Sequence, residues 1–124
     1  MSQVKLTLSD DKASLTIGDG EGTSLTLPAE VVSRLLPALI FLRSQMEPPL
    51  PYRNLKPGDP VVEAPGMRWF VGPHEVDGLL RVALHHPGLG WLSTPLSHPA
   101  AETFLGVFKE QMARLGDYTP PTVQ

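Results

Sequence analysis

Apolar and polar residues alternate strictly in three short successive stretches near the start of the chain. Val4, Leu6 and Leu8 alternate with Lys5, Thr7 and Ser9, Ala13, Leu15 and Ile17 with Ser14 and Thr16, and Leu25 and Leu27 with Ser24 and Thr26. Period two over runs of this length predicts half-buried strands, and three in succession predict an antiparallel meander. Asp10-Asp11 fills the first gap and Gly18-Asp19-Gly20-Glu21-Gly22 the second. Both compositions tolerate the positive φ that tight turns require.

After Leu27 the period lengthens. Val31, Val32, Leu35, Leu36, Leu39 and Ile40 recur at the three-and-four spacing of a helix with one buried stripe. Thr26 is the expected N-cap and Pro28 falls in the first turn, where its missing N–H costs nothing. Pro37 lies inside the pattern, and because an interior proline costs about 3 kcal/mol, a kink or a helix in two pieces is expected there.

Residues 47–60 have no period and contain five prolines, which predicts a stiff, extended connector. Beyond it the order of elements recurs. Met67–Val71, Leu79–His86 and Leu89–Thr94 read as strands, Val61-Val62-Glu63 as a short edge strand, and Pro99 to about Leu115 as a helix striped by Phe104, Leu105, Phe108 and Met112. The stretch Thr23-Ser-Leu25-Thr26-Leu-Pro28-Ala29 matches Thr94-Pro-Leu96-Ser97-His-Pro99-Ala100 at five of seven positions, counting Thr and Ser as equal. In both places a strand hands over to a helix.

The expected fold is therefore α+β: two βββα pseudo-repeats, at about residues 3–46 and 61–115, with antiparallel meander sheets and both helices packed on one face. A chain of 124 residues fits a single domain over residues 1–124, with a loose tail over 116–124. Three strands make a sheet too small to be stable alone, so the halves should join in one continuous sheet or be completed by a homodimer.

Composition narrows the function classes. Gly and Pro number 11 and 14 without a repeat period, which excludes a collagen and points to a turn-rich domain. A net charge of -3 gives no global attraction to nucleic acid or anionic lipid. With no cysteine there is no disulfide, thiolate metal site or cysteine nucleophile, and no cofactor is expected. The longest apolar run, Leu35 to Leu42, is closed by Arg34 and Arg43 and is far short of the roughly 20 residues of a membrane span. No secretory signal is visible, so a cytoplasmic protein without membrane contact is expected.

Candidate chemistry is sparse. His85 and His86 are adjacent in a strand and point to opposite faces, so they cannot share an ion. His74, Glu75, Asp77 and His98 are the remaining ligand candidates, but no metal-site spacing relates them, and no metal is expected. Loop histidines that cap backbone or face water are the simpler expectation. No serine stands in a nucleophile elbow, and the acid pairs Asp10-Asp11, Asp19/Glu21 and Glu75/Asp77 all sit in turns, where hydration keeps carboxylates ordinary. Catalysis is not expected.

Sorting strand residues by parity is more informative. Leucine- and valine-rich positions, together with Trp69 and Trp91 as core anchors, should face the helices. The opposite face then carries Lys5, Thr7, Ser14, Thr16, Thr26, Arg68, Phe70, Arg81 and His85, with no acid among them. From this set Lys5, Arg68, Phe70, Arg81 and His85 form a candidate surface for single-stranded nucleic acid, which stacks on aromatics and pairs with cations. Helix one carries more apolar surface than a small sheet covers, marking Val31, Leu35, Leu39, Phe41 and Leu42 as a candidate association surface. The first expectation is thus a small non-enzymatic binding or assembly domain that forms a homodimer or meets a protein partner. Nucleic-acid binding ranks second, and a metal or enzymatic role for the loop histidines third.

Overall fold

A computed structural model describes residues 3–116. The described chain runs β1 (Lys5–Leu8), β2 (Ser14–Gly18), β3 (Ser24–Pro28), α1 (Ala29–Gln45), β4 (Arg68–Pro73), β5 (Leu80–His86), β6 (Gly90–Leu96) and α2 (His98–Arg114). This is an α+β protein with two βββα units, divided between Glu63 and Ala64. The strands pair as two separate antiparallel sheets, β1-β2-β3 and β4-β5-β6, so the continuous sheet envisaged above does not form. Apart from Gly116, the tail lies outside the described residues.

In the first unit the register of β1 and β2 places Leu6 opposite Ile17 and Leu8 opposite Leu15, while Ile17 and Leu15 meet Leu25 and Leu27 of β3. All six share one face. Thr7, Thr16 and Thr26 line the other, and the hydroxyls of Thr16 and Thr26 lie 2.9 Å apart. The β2–β3 turn uses Gly20 and Gly22 at φ 79° and 95°, as the composition predicts, and Asp19 fastens it by accepting from the N–H groups of Glu21 and Thr23. In the β1–β2 turn the positive φ falls on Lys12 (63°) and not on either aspartate.

One expectation about α1 is corrected, and one of the two outcomes expected at Pro37 does not occur. Thr26 is not its N-cap. The period-two pattern carries β3 through to Pro28, leaving Thr26 in the strand, and Pro28 caps α1 without a side-chain bond. In the second unit Ser97 does cap α2, accepting from the N–H of Ala100 at 3.3 Å. The aligned repeat positions therefore play different parts. Nor does Pro37 split α1, which runs unbroken for 17 residues.

The connector is less extended than its composition predicts. Arg53 clasps Asp59 through two bonds of 2.7 and 2.8 Å, and the Lys56 N–H donates to the same carboxylate at 2.7 Å, closing a small loop. Residues 61–63 form no strand.

The second unit follows the same logic with a different register outcome. Pairing of β4, β5 and β6 puts Trp69, Val71, Leu80, Val82, Leu84, Leu92 and Leu96 on one face, and Arg68, Phe70, Arg81, Ala83, His85, Trp91 and Ser93 on the other. Trp91 is thus on the opposite face from its expected place, directly across from His85, whose ring it meets edge-on at 5.0 Å.

Candidate functional site

Apolar surface is what both units share in excess. Among the described hydrophobic residues only Ala83 is buried, at 4% exposure. Trp69 and Trp91, expected as core anchors, are 71% and 55% exposed. The total accessible surface is 11232 Å² for 13.5 kDa. Two separate globules of half that mass would expose only about 7,900 Å² between them. The exposed connector contributes to the difference, as do the exposed apolar residues of the sheets and helices.

On α1 the geometry separates residues that the sequence grouped. Val31 and Val32 are half-buried, as is Leu36, whereas Leu35, Leu39 and Leu42 are exposed. At 3.6 residues per turn Val31, Leu35, Leu39 and Leu42 share one side, while Phe41 stands about 160° around the helix from Leu39. The expected association surface therefore keeps four of its five members together and leaves Phe41 apart. The Arg43 guanidinium turns to the chain beyond the helix, donating to the carbonyls of Met46 and Pro48.

In the second unit α2 and the apolar face of its sheet enclose an open groove of about 570 Å³, walled by Trp69, Val71, Val82 and Leu84 on the sheet side and by Ala101, Phe104, Leu105 and Phe108 on the helix. The polar residues at its margin are His98 and Glu102, which pair with each other at 3.3 Å. No parity argument predicts such a groove, because it depends on how far the helix stands from the sheet. The sequence signal that could have found it is the coincidence of two aromatic positions on the α2 stripe, Phe104 and Phe108, whose rings stack at 6.4 Å.

The outer face of this sheet gathers Arg68, Phe70, Arg81 and His85, as parity predicts, and adds Trp91. Lys5 belongs to the β1 edge of the first unit's sheet, so it is not counted with them. The face is not free of acid. Glu75, from the β4–β5 loop, takes both terminal nitrogens of Arg81 at 2.9 and 2.6 Å, which the sequence separation of six residues across a turn concealed. The Phe70 ring lies over Gly72, where a Cβ would come within 2.6 Å of its Cζ.

The histidines and acids act as turn fasteners. His74 Nδ1 accepts from the Val76 N–H and His86 Nδ1 from the Gly88 N–H, both at 2.9 Å. Among the described residues no three His, Cys, Asp or Glu side chains are grouped to hold a metal ion. Asp11, Asp19 and Glu75 depart from the ordinary values expected of them. The Ser9 hydroxyl and then the Ala13 N–H hold Asp11 below the usual carboxylate range, and the Glu21 N–H does the same for Asp19. Glu75 is lowered by its own backbone N–H and by Arg81. Each shift favours the ionised form, the wrong direction for a general acid.

No helix among the described residues is long and apolar enough to cross a membrane. No protein-family model matches the chain, and neither a curated protein nor a solved structure matches it.

Proposed function

We propose that this protein is a non-enzymatic assembly domain that works as a homodimer, associating through the apolar side of α1 and the uncovered sheet faces. The observation that carries this reading is the exposure of Leu35, Leu39, Ile40, Leu42, Trp69, Phe104, Leu105 and Phe108 in a chain whose only buried hydrophobic residue, among those described, is Ala83. Monomeric proteins rarely leave contiguous apolar patches beyond a few hundred Å², and a standard interface withdraws about 800 Å² from each partner. Sedimentation equilibrium tests the proposal: a dimer is expected at low micromolar concentration, and a monomer persisting at high micromolar concentration refutes it.

A second reading has one specific observation in its favour. Trp91 joins Phe70, His85 and Arg68 on the outer face of the β4-β5-β6 sheet, so two large aromatic side chains and a cation share a surface suited to stacking on single-stranded nucleic acid. Under this hypothesis a labelled oligonucleotide gains anisotropy at low salt, and both Trp91→Ala and Arg68→Ala weaken its binding. Binding that ignores both substitutions, or no binding at all, ends it.

A further inference from the structure

We infer that residues 48–52 of the connector, Pro-Pro-Leu-Pro-Tyr, are a docking segment for a partner protein that takes proline-rich chains in an uncharged groove lined by aromatic side chains. The inference is independent of the homodimer reading. It uses neither the exposed leucine strip of α1, formed by Leu35, Leu39 and Leu42, nor either sheet.

The backbone conformation of the segment follows from its composition. Pro48, Pro49 and Pro51 each fix φ at about −65°, and the residues that precede a proline, Pro48 and Leu50, are driven out of the helical region. From residue 49 to residue 56 the chain forms neither helix, strand nor turn. Those restrictions leave polyproline II, a left-handed helix of about three residues per turn that makes no internal hydrogen bonds. Pro48 and Pro51 then share one ridge, and Pro49 and Tyr52 the next.

The structure holds this stretch at both ends and leaves it bare between them. Arg43, half-buried in the last turn of α1, donates to the Pro48 carbonyl at 3.1 Å. Beyond Tyr52 the half-buried Asp59 carboxylate takes both terminal nitrogens of Arg53 and the N–H of Lys56. Every residue from 44 to 58 is exposed. Leu50 is 72% exposed and Tyr52 90%, the highest value of any large hydrophobic side chain among the described residues. The carbonyls of Pro49, Leu50 and Pro51 accept no hydrogen bond from the described residues. A plain spacer needs neither anchor. Two anchors remove in advance the conformational freedom that binding would otherwise have to remove, so the ridges are pre-organised for a partner.

The chemistry of the segment selects the kind of partner. Three of the four residues 48–51 lack an N–H, so the segment cannot extend a sheet by adding a strand. No charge falls between residues 48 and 52, and the adjacent cation, Arg53, is committed to Asp59, so an acidic pocket would find nothing to pair with. The segment offers proline rings, a phenol and free carbonyls. Aromatic side chains pack against the rings, and their indole N–H and phenol O–H groups are donors for the carbonyls.

The probe for the test is an isolated WW domain first shown to bind a synthetic peptide of residues 46–54. Nitrogen-15-labelled domain is titrated with the unlabelled full-length chain, and the shift of the indole N–H in its groove is followed by NMR. The full-length chain is expected to bind about three- to tenfold more tightly than the peptide, because its segment is already ordered. Pro49→Ala and Pro51→Ala, one on each ridge, should each weaken binding by about tenfold. Asp59→Asn frees one end of the segment and should bring the affinity down towards that of the peptide. All three substitutions lie at connector positions outside the helices and sheets, and circular dichroism of the variants should match the parent. A full-length chain that does not bind the domain, or binding that ignores both proline substitutions, overturns the inference. Equal or tighter binding by Asp59→Asn also overturns it, since Arg53 would then be a contact and not an anchor.

Discussion

Leu39 and Phe41 are close in sequence, similarly exposed at 58% and 61%, and on different sides of α1, so they form a discriminating pair. Fully burying a leucine side chain is worth about 1.5–3 kcal/mol, and covering the exposed share of Leu39 therefore contributes roughly 1–1.5 kcal/mol in each copy. A twofold assembly contains the contact twice. Leu39→Ala should then weaken the dimer by about 2–3 kcal/mol, roughly a 30- to 150-fold rise in Kd. Phe41→Ala removes a larger side chain but lies off the contact strip, so its Kd should stay within about threefold of the parent, the range of most surface substitutions. Sedimentation equilibrium across a hundredfold range of protein concentration reads both values. A loss for Phe41→Ala equal to or greater than that for Leu39→Ala would refute the placement of the strip, and no loss for either would remove α1 from the interface.

Three further outcomes are expected. Ser97→Ala should destabilise the second unit by about 1 kcal/mol through loss of the α2 N-cap, whereas Thr26→Ala, being in a strand, should cost less; urea denaturation followed by circular dichroism compares them. Arg53 and then the Lys56 N–H hold the Asp59 carboxyl below the usual carboxylate range. The unfolded chain therefore takes up protons first as pH falls, so this stabilisation is fully present above about pH 4 and is lost below it; the urea midpoint of Asp59→Asn should fall less steeply with acid than that of the parent, and parallel curves would count against the clasp. Gly72→Ala drives a Cβ against the Phe70 ring and should cost about 1–3 kcal/mol, a penalty expected to vanish in a Phe70→Ala background in a double-mutant cycle.

Much of the fold was legible because period two and period 3.6 are set by geometry and by which side meets water. β2 and α2 carry clean patterns and lie close to where those patterns place them. Trp91 was misplaced because its size outweighed its parity. Leu92 and Leu96 alternate with Trp91, Ser93 and Pro95, and the leucine positions identify the groove face once Gly90, at φ 87°, is seen to start the strand. The cap at Thr26 failed for a different reason: a hydroxyl before a proline suits a helix start, yet Thr26 pairs across the strands with Thr16 and lies two residues before Pro28, which caps the helix. Of the candidate sites, the α1 strip and the outer-face residues of β4 and β5 could be read from spacing. The groove and the Glu75–Arg81 pair could not, because each depends on a distance between elements that no local pattern encodes.

The two functional readings differ in how they respond to salt, and the structure sets the size of the difference. On the outer face Arg81 is held by Glu75, which leaves Arg68 as the one arginine there without a carboxylate partner among the described residues. Each neutralised phosphate contributes a slope of about −0.7 in log K against log salt for single strands, so this face supports a slope of roughly −1 and only weak binding. Glu75→Gln releases Arg81 and should steepen the slope by about one such step. Apolar association responds in the opposite sense, because sulfate strengthens effective burial by being excluded from protein surface. Rising ammonium sulfate should therefore tighten the dimer while loosening any oligonucleotide complex. A dimer that dissociates as salt increases would mean that charged groups, not the leucine strip of α1, hold the copies together.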